Sequence, residues 1–171
     1  MERKTIFDEY VDYQEEYTKI YGKETIVLME VGSFFELYGI ETREETIGKV
    51  TEIGQLLNIH ITRKNKKIKE NNRKNPLMAG FPNHSLKKFL KVLLQNDYTI
   101  VLVEQVTPAP NPDRAVTHIY SPSTYIEETY QSHNNYLCCL YIEQQTYYKS
   151  LQEIYSIGVS LIDLSTGENQ V

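Results

Sequence analysis

Met29-Glu30-Val31-Gly32-Ser33-Phe34-Phe35-Glu36-Leu37-Tyr38-Gly39 follows directly on the apolar residues Ile26, Val27 and Leu28. The spacing predicts two strands, Thr25–Val31 and Phe34–Tyr38, broken by Gly32-Ser33. Gly32 admits backbone conformations closed to other residues. Alternate side chains of a pleated strand share a face, so Phe34 and Glu36 point one way and Phe35 the other. An apolar ring two residues from a carboxylate can form a wedge beside a hydrogen-bonding group. The same spacing also fits a half-buried strand with Phe34 in the core and Glu36 solvated.

Upstream, Phe7, Tyr10, Tyr13 (or Gln14), Tyr17, Ile20 and Tyr21 recur at three- and four-residue steps. They predict an amphipathic helix over Thr5–Tyr21, capped by Thr5 with Asp8 and stopped at Gly22. Tyrosines at this spacing read as packing rather than as a base-stacking surface. Downstream, the pattern predicts a helix over Glu41–Leu57 and a strand over Ile59–Arg63, with His60 on the solvent face. Lys64 to Asn75 is almost devoid of apolar residues and reads as an exposed loop. Pro76–Ser85 reads as a strand end and turn, followed by a helix from a Ser85 cap to Asn96 that buries Leu86, Phe89, Leu90, Leu93 and Leu94. Tyr98–Glu104 reads as a central strand, Pro108, Pro110 and Pro112 as an irregular excursion, and Ala115–Tyr120 as a further strand. The alternation of strands and helices implies an α/β fold, a mixed β-sheet flanked by helices. Residues 121–133 read as a connection. Tyr136–Glu143 and Ser156–Asp163 read as two strands, with a turn at Ser165-Thr166-Gly167, too little to bury a core of their own.

The 171 residues are 40% hydrophobic and 24% charged, as in a globular protein. No apolar run approaches the roughly 20 residues that span a membrane. The charged Met1-Glu2-Arg3-Lys4 start lacks the apolar segment of a secretory signal. Adjacent Cys138 and Cys139 cannot staple a fold, and they read as small buried thiols in a reducing, intracellular compartment. The net charge of −5 argues against nucleic acid as a partner, but its distribution does not. Arg63 to Lys74 holds seven Lys or Arg against one Glu, a local +6 that leaves −11 for the remainder. A basic segment on an acidic body can approach phosphate while the rest of the surface discourages contact. Asn65, Asn71, Asn72 and Asn75 add donors there; a solvated charged loop is the competing reading. No G-x-x-x-x-G-K-[ST], H-E-x-x-H or C-x-x-C pattern occurs, and no enzyme chemistry is expected of these residues.

Gly32-Ser33-Phe34-Phe35-Glu36-Leu37-Tyr38 resembles the Gly-Asp-Phe-Tyr-Glu-Leu-Phe stretch of the MutS family of DNA mismatch repair proteins. Pro76-Leu77-Met78-Ala79-Gly80-Phe81-Pro82-Asn83-His84 is similar to that family's Pro-Met-Ala-Gly-Val-Pro-Tyr-His, and Tyr98-Thr99-Ile100-Val101-Leu102-Val103-Glu104-Gln105 to its Tyr-Lys-Val-Ala-Ile-Cys-Glu-Gln. Arg114, Val116-Thr117 and Ser121-Pro122-Ser123-Thr124 resemble its Arg-x-Val-Thr and Thr-Pro-Gly-Thr. The four blocks stand in the family's order. Ser33, Phe35, Asn83 and Ser123 depart from its pattern, and the last puts the geometry of the following connection in question.

The resemblance implies a mismatch-recognition domain over residues 1–120, a linker over 121–133, and the beginning of an RNase H-like connector domain over 134–171. It assigns the intercalating ring to Phe34 and the base-contacting carboxylate to Glu36. Arg63, Lys64, Lys66, Lys67 and Lys69 are the candidate phosphate contacts. No metal or cofactor is implied for these residues; ATP and Mg, and a dimeric state, are implied for the full-length family members. The implied partners are mismatched duplex DNA and the rest of a longer chain, with no membrane. Two alternatives stay open: a module for single-stranded or structured nucleic acid, and a metal-dependent nuclease using Glu30, Glu36 and Glu104.

Overall fold

A computed structural model describes residues 4–122, 124–125, 136–147, 152–163 and 167–170. Two compact units divide it, Met1–Pro122 and Ser123–Val171. The first helix, α1 (Ile6–Tyr21), has Thr5 as its N-cap, with Thr5 Oγ1 accepting from the Asp8 amide at 3.2 Å. Gly22 ends it with φ +91°. The strands are β1 (Thr25–Val31), β2 (Phe34–Glu41), β3 (Thr46–Ile47), β4 (Ile61–Arg63), β5 (Leu77–Pro82), β6 (Thr99–Gln105) and β7 (Arg114–Tyr120). Helices α2 (Val50–Leu56) and α3 (Leu86–Gln95) complete the first unit.

The sheet order is β4-β5-β2-β1-β6-β7, with β3 beside β2. Only the β1–β6 pair among these is parallel, so the sheet is mixed. Strands β1 and β6 are central and covered on both faces, which accounts for their unbroken apolar runs; Ile26 to Met29 and Ile100 to Val103 are all buried. Tyr38 packs edge-on against Tyr10 of α1, with ring centroids 5.4 Å apart. On the opposite face Phe35 meets Phe81, and Phe81 meets Phe89 of α3 at 4.4 Å. Gly39 lies against Val50 of α2 on that side too. Helix α1 therefore covers one face, α2 and α3 the other.

Three local expectations fail for identifiable reasons. The helix expected from Glu41 begins only at Val50. Glu41 ends β2, and a Thr42–Glu45 turn closes with 3.0 Å hydrogen bonds in both directions. Strand β3 then pairs with Ile40 and Glu41, and Gly48 at φ +68° packs so closely that a Cβ would lie 2.4 Å from the Tyr38 carbonyl. Glu41 still serves the helix from outside, accepting from the Thr51 amide at 2.9 Å and the Thr51 hydroxyl at 2.6 Å. Ser85 does not cap α3 with its side chain; a 3-10 turn over Asn83–Ser85 leads in instead. The Pro76–Ser85 segment holds a six-residue strand rather than a strand end.

In the second unit, β8 (Tyr136–Tyr147) and β9 (Gln152–Asp163) form an antiparallel pair edged by β10 (Asn169–Gln170). Both strands run longer than the apolar pattern predicts. Cys138 and Cys139 are exposed here, contrary to the expectation of buried thiols. Most of the 121–133 connection, including Ser123, and the Ser165-Thr166 part of the expected turn lie outside the described residues. Among the described residues no helix is long and apolar enough to cross a membrane.

Candidate nucleic-acid interface

Strands β1 and β2 meet in a two-residue turn, Gly32-Ser33, in which only Gly32 has positive φ (+63°). That is the backbone pattern of a type II′ hairpin, and it explains a glycine at the first turn position. The tip is tied down from both sides. Glu30 accepts from the Asn83 side-chain amide at 2.7 Å and from the Gln105 backbone at 2.9 Å. The Asn83 backbone donates to the Ser33 carbonyl at 3.0 Å, and the Gln105 side chain to the Gly32 carbonyl at 3.1 Å. Arg114 Nε reaches the Glu30 carbonyl at 2.8 Å.

On this anchored hairpin the strand alternation is realised: Phe34 is 44% exposed and Phe35 is 2% exposed. Phe34 stands between Val31 and Pro82 in register, on the face of Glu36 and Tyr38. The core placement of Phe34 allowed by the spacing does not occur. Glu36 is half-buried and accepts a hydrogen bond from the Tyr38 hydroxyl. Burial pushes its carboxyl above the usual range, against the opposing pull of that hydrogen bond and of the Arg114 guanidinium. The Arg114 side chain is 7% exposed and pairs with Glu9 of α1 at 3.3 Å. Tyr13 of α1 donates to the Arg114 carbonyl at 3.1 Å. Across the ladder Gly80 faces Glu36; a Cβ there would come within 2.9 Å of the Phe35 carbonyl and 3.1 Å of Glu36 Cγ.

The basic segment lies elsewhere. Arg63 pairs with Leu77, which pairs with Gly39, whereas Phe34 pairs with Pro82. Leu77 to Pro82 spans about 17 Å along the strand, and β4 stands about 10 Å from β2, so the segment leaves the end of the sheet remote from the hairpin. Lys64, Lys66, Lys67 and Lys69 are exposed and make no ion pair among the described residues. Arg63 is half-buried with Nε lacking a partner. Arg73 is committed to Glu45 at 2.7 Å.

The loop is also more ordered inside than its composition suggests. Asn75 is 2% exposed and its side-chain amide donates to the carbonyls of Asn65, Ile68 and Glu70 at 3.3, 3.1 and 3.0 Å. Its Oδ1 accepts from the Asn65 amide at 2.7 Å. Asn75 is therefore the loop's internal strut and not a donor to an outside ligand.

The three carboxylates of the nuclease alternative do not converge. Glu30 pairs with Phe35 and so faces away from Glu36. Glu104 is engaged by the Thr117 hydroxyl and lies 3.5 Å from His118 Nδ1. Among the described residues no three His, Cys, Asp or Glu side chains gather. Spacing alone missed Tyr38, Asn83 and the partners of Arg114. Tyr38 was legible in principle, since it stands two residues from Glu36 on one strand face; the others are brought in from distant strands.

A family model for MutS domain I matches residues 9–129. A mutS homologue of Acanthamoeba polyphaga mimivirus is 34% identical over 168 residues, 98% of this chain and 15% of that protein. The DNA mismatch repair protein MutS of Thermosipho melanesiensis is 32% identical over 165 residues, 94% of this chain and 16% of its own length. That of Streptococcus gordonii is 28% identical over 169 residues, 95% and 17% respectively. The chain thus spans only 15 to 17% of the length of these relatives. Matched over most of its length by the domain I model, the chain belongs to the MutS family.

Proposed function

We propose that this chain acts in DNA mismatch repair, as the mismatch-recognition part of a longer MutS-type protein. Phe34 inserts between base steps and Glu36 contacts the displaced base. The observation that carries the reading is one exposed ring beside one half-buried carboxylate on a hairpin tied to its neighbours. Inserting a ring unstacks a base step at a cost of a few kcal/mol and kinks the duplex. A mismatch has already lost part of its pairing and bends more readily, so the same wedge costs less there. Discrimination then comes from deformability rather than from a base code.

Glu36 fits this role because burial already favours its neutral form. Nearby phosphates add to that preference. Protonated, it donates to a base acceptor such as a purine N7; ionised, it repels intact duplex. Arg63, Lys64, Lys66, Lys67 and Lys69 supply sequence-independent attraction at the other end of the sheet.

Strands β8 to β10 open an RNase H-like connector domain in this reading, with 1–120 as the recognition domain and 121–133 as the linker. The full-length protein is a dimer in a reducing, intracellular compartment, and these residues have no enzyme activity of their own. ATP and Mg belong to other parts of that longer protein. The Gly32-Ser33 turn leads into a strand and not into the helix N-terminus a nucleotide phosphate needs, so no step through ATP is assigned here.

Equilibrium binding of matched duplex, mismatched duplex and single strand at one salt concentration tests the proposal. Wild type prefers the mismatch and Phe34→Ala abolishes that preference. A preference for single strand over mismatched duplex instead supports a stacking module.

A further inference from the structure

The last ring of the hairpin strand carries a hydroxyl that the wedge-and-carboxylate reading does not use. Tyr38 follows Glu36 by two residues on the same face of β2. Its ring is buried edge-on against Tyr10 and Phe7 of α1, with centroids 5.4 and 6.4 Å away. Its hydroxyl donates to Glu36 Oε2. That is the only side-chain hydrogen bond of Glu36 among the described residues, so Oε1 accepts none there. The MutS stretch that this segment resembles ends in Phe, which offers the same ring and no hydroxyl.

We propose that Tyr38 is a positioning residue for Glu36: its hydroxyl holds Oε2, fixes the carboxylate beside Phe34, and reserves Oε1 for the base. The proposal rests on the reading of Glu36 given above. A glutamate with a free surface rotamer would have to be ordered when DNA binds, and that ordering opposes binding. Packing immobilises Tyr38, so the hydrogen bond settles the carboxylate beforehand. With Oε2 accepting from Tyr38, a proton on Glu36 sits on Oε1, where it can be donated.

The surroundings support the arrangement. From β5 only Gly80 faces Glu36, so no side chain competes for the carboxylate. From β7 the Arg114 guanidinium acts on it, itself held by Glu9 of α1 and by the Glu30 carbonyl. From α1 Tyr10 packs beneath Tyr38. Burial and Glu36 push the Tyr38 hydroxyl far above its ordinary range, so it remains a proton donor throughout.

Tyr38→Phe removes the hydroxyl and keeps the ring. Two readouts are needed. The first is the titration of the Glu36 carboxyl carbon by NMR without DNA; because the Tyr38 hydrogen bond lowers the Glu36 pKa, its midpoint rises in Tyr38→Phe. The second is the ratio of mismatched to matched duplex affinity, which falls about 3- to 10-fold, the worth of one hydrogen bond. In a Glu36→Ala background Tyr38→Phe leaves the ratio unchanged, because the hydroxyl acts only through the carboxylate. An unmoved midpoint overturns the proposal. So does a wild-type ratio in Tyr38→Phe when Glu36→Ala abolishes it. If Glu36→Ala itself keeps the ratio, the base-contact reading of Glu36 fails and the reservation of Oε1 fails with it, while a raised midpoint still establishes the hold on Oε2.

Discussion

Phe34 and Phe35 are consecutive, yet one ring is 44% exposed at the hairpin tip and the other is 2% exposed against Phe81. The pleat separates them, and the effects of removing them should separate too. Phe35→Ala should cost roughly 3–5 kcal/mol of folding stability, the usual range for a buried Phe. Phe34→Ala should cost under about 1 kcal/mol, as for a surface substitution. Urea titration of both variants checks this, and equal destabilisation would put Phe34 in the core.

That alternation could be read from the chain because both rings obey a two-residue period. The central strands were legible for a similar reason: burial on both faces leaves an uninterrupted apolar run in Ile26–Met29 and Ile100–Val103. The segment from Glu41 to Lys49 was not. Its acidic residues suit a helix start, but the close approach of Gly48 to Tyr38 depends on a strand ten residues earlier. Asn75 shows the same limit. In sequence it is one polar residue in a polar loop, and only the folded chain turns its amide inward. The separation of Phe34 from the basic segment follows from strand pairing, which local pattern does not encode.

Gly48 offers a direct measure of that close approach. Its φ of +68° and the Tyr38 carbonyl oxygen, which an added Cβ would approach to 2.4 Å, leave no place for a side chain. Gly48→Ala should destabilise the fold by more than about 1 kcal/mol, from the positive φ together with the steric shift. The thermal midpoint reports it. An unchanged midpoint would mean that the Thr46–Lys49 segment moves freely away from β2.

Asn75→Ala removes an amide that donates three hydrogen bonds and an oxygen that accepts one. The loop carbonyls it serves can turn to water once the loop opens, so the cost should stay near 1–3 kcal/mol. Amide exchange from residues 65 to 75 should accelerate, while that of β1 and β6 stays slow. Retained protection across 65–75 would show that the loop is held by something other than Asn75.

The raised carboxyl of Glu36 carries a pH signature. A carboxylate whose folded pKa exceeds its unfolded value binds its proton more tightly in the native state. Its contribution to stability is therefore full below the unfolded value of 4.5 and is lost as pH rises through the folded value. Glu36→Gln removes the charge and keeps an oxygen for Tyr38. Between pH 4.5 and neutrality the variant should lose less stability than wild type, and it should be the more stable of the two at pH 7. Denaturant midpoints across that range decide it; parallel curves would mean that Glu36 is solvated.

The distance between Phe34 and the basic segment gives the last prediction. Phe34 and Arg63 are separated by about 17 Å along the strand and about 10 Å across it, too far to touch the same groups. Effects at sites more than roughly 7–10 Å apart normally add. Neutralising Lys66, Lys67 and Lys69 should weaken matched and mismatched duplex alike, leaving their ratio intact. It should also flatten the dependence of log K on log salt by about 0.9 for each phosphate that these lysines no longer neutralise. Phe34→Ala should do the reverse, reducing the ratio while leaving the salt slope in place. Combined, the variants should show the sum of both free-energy changes to within roughly 0.5 kcal/mol. A basic segment that is only solvated leaves the slope unchanged. A large departure from additivity would mean that DNA bent by the wedge is what reaches the lysines, so that removing Phe34 already releases the phosphates at the other end of the sheet.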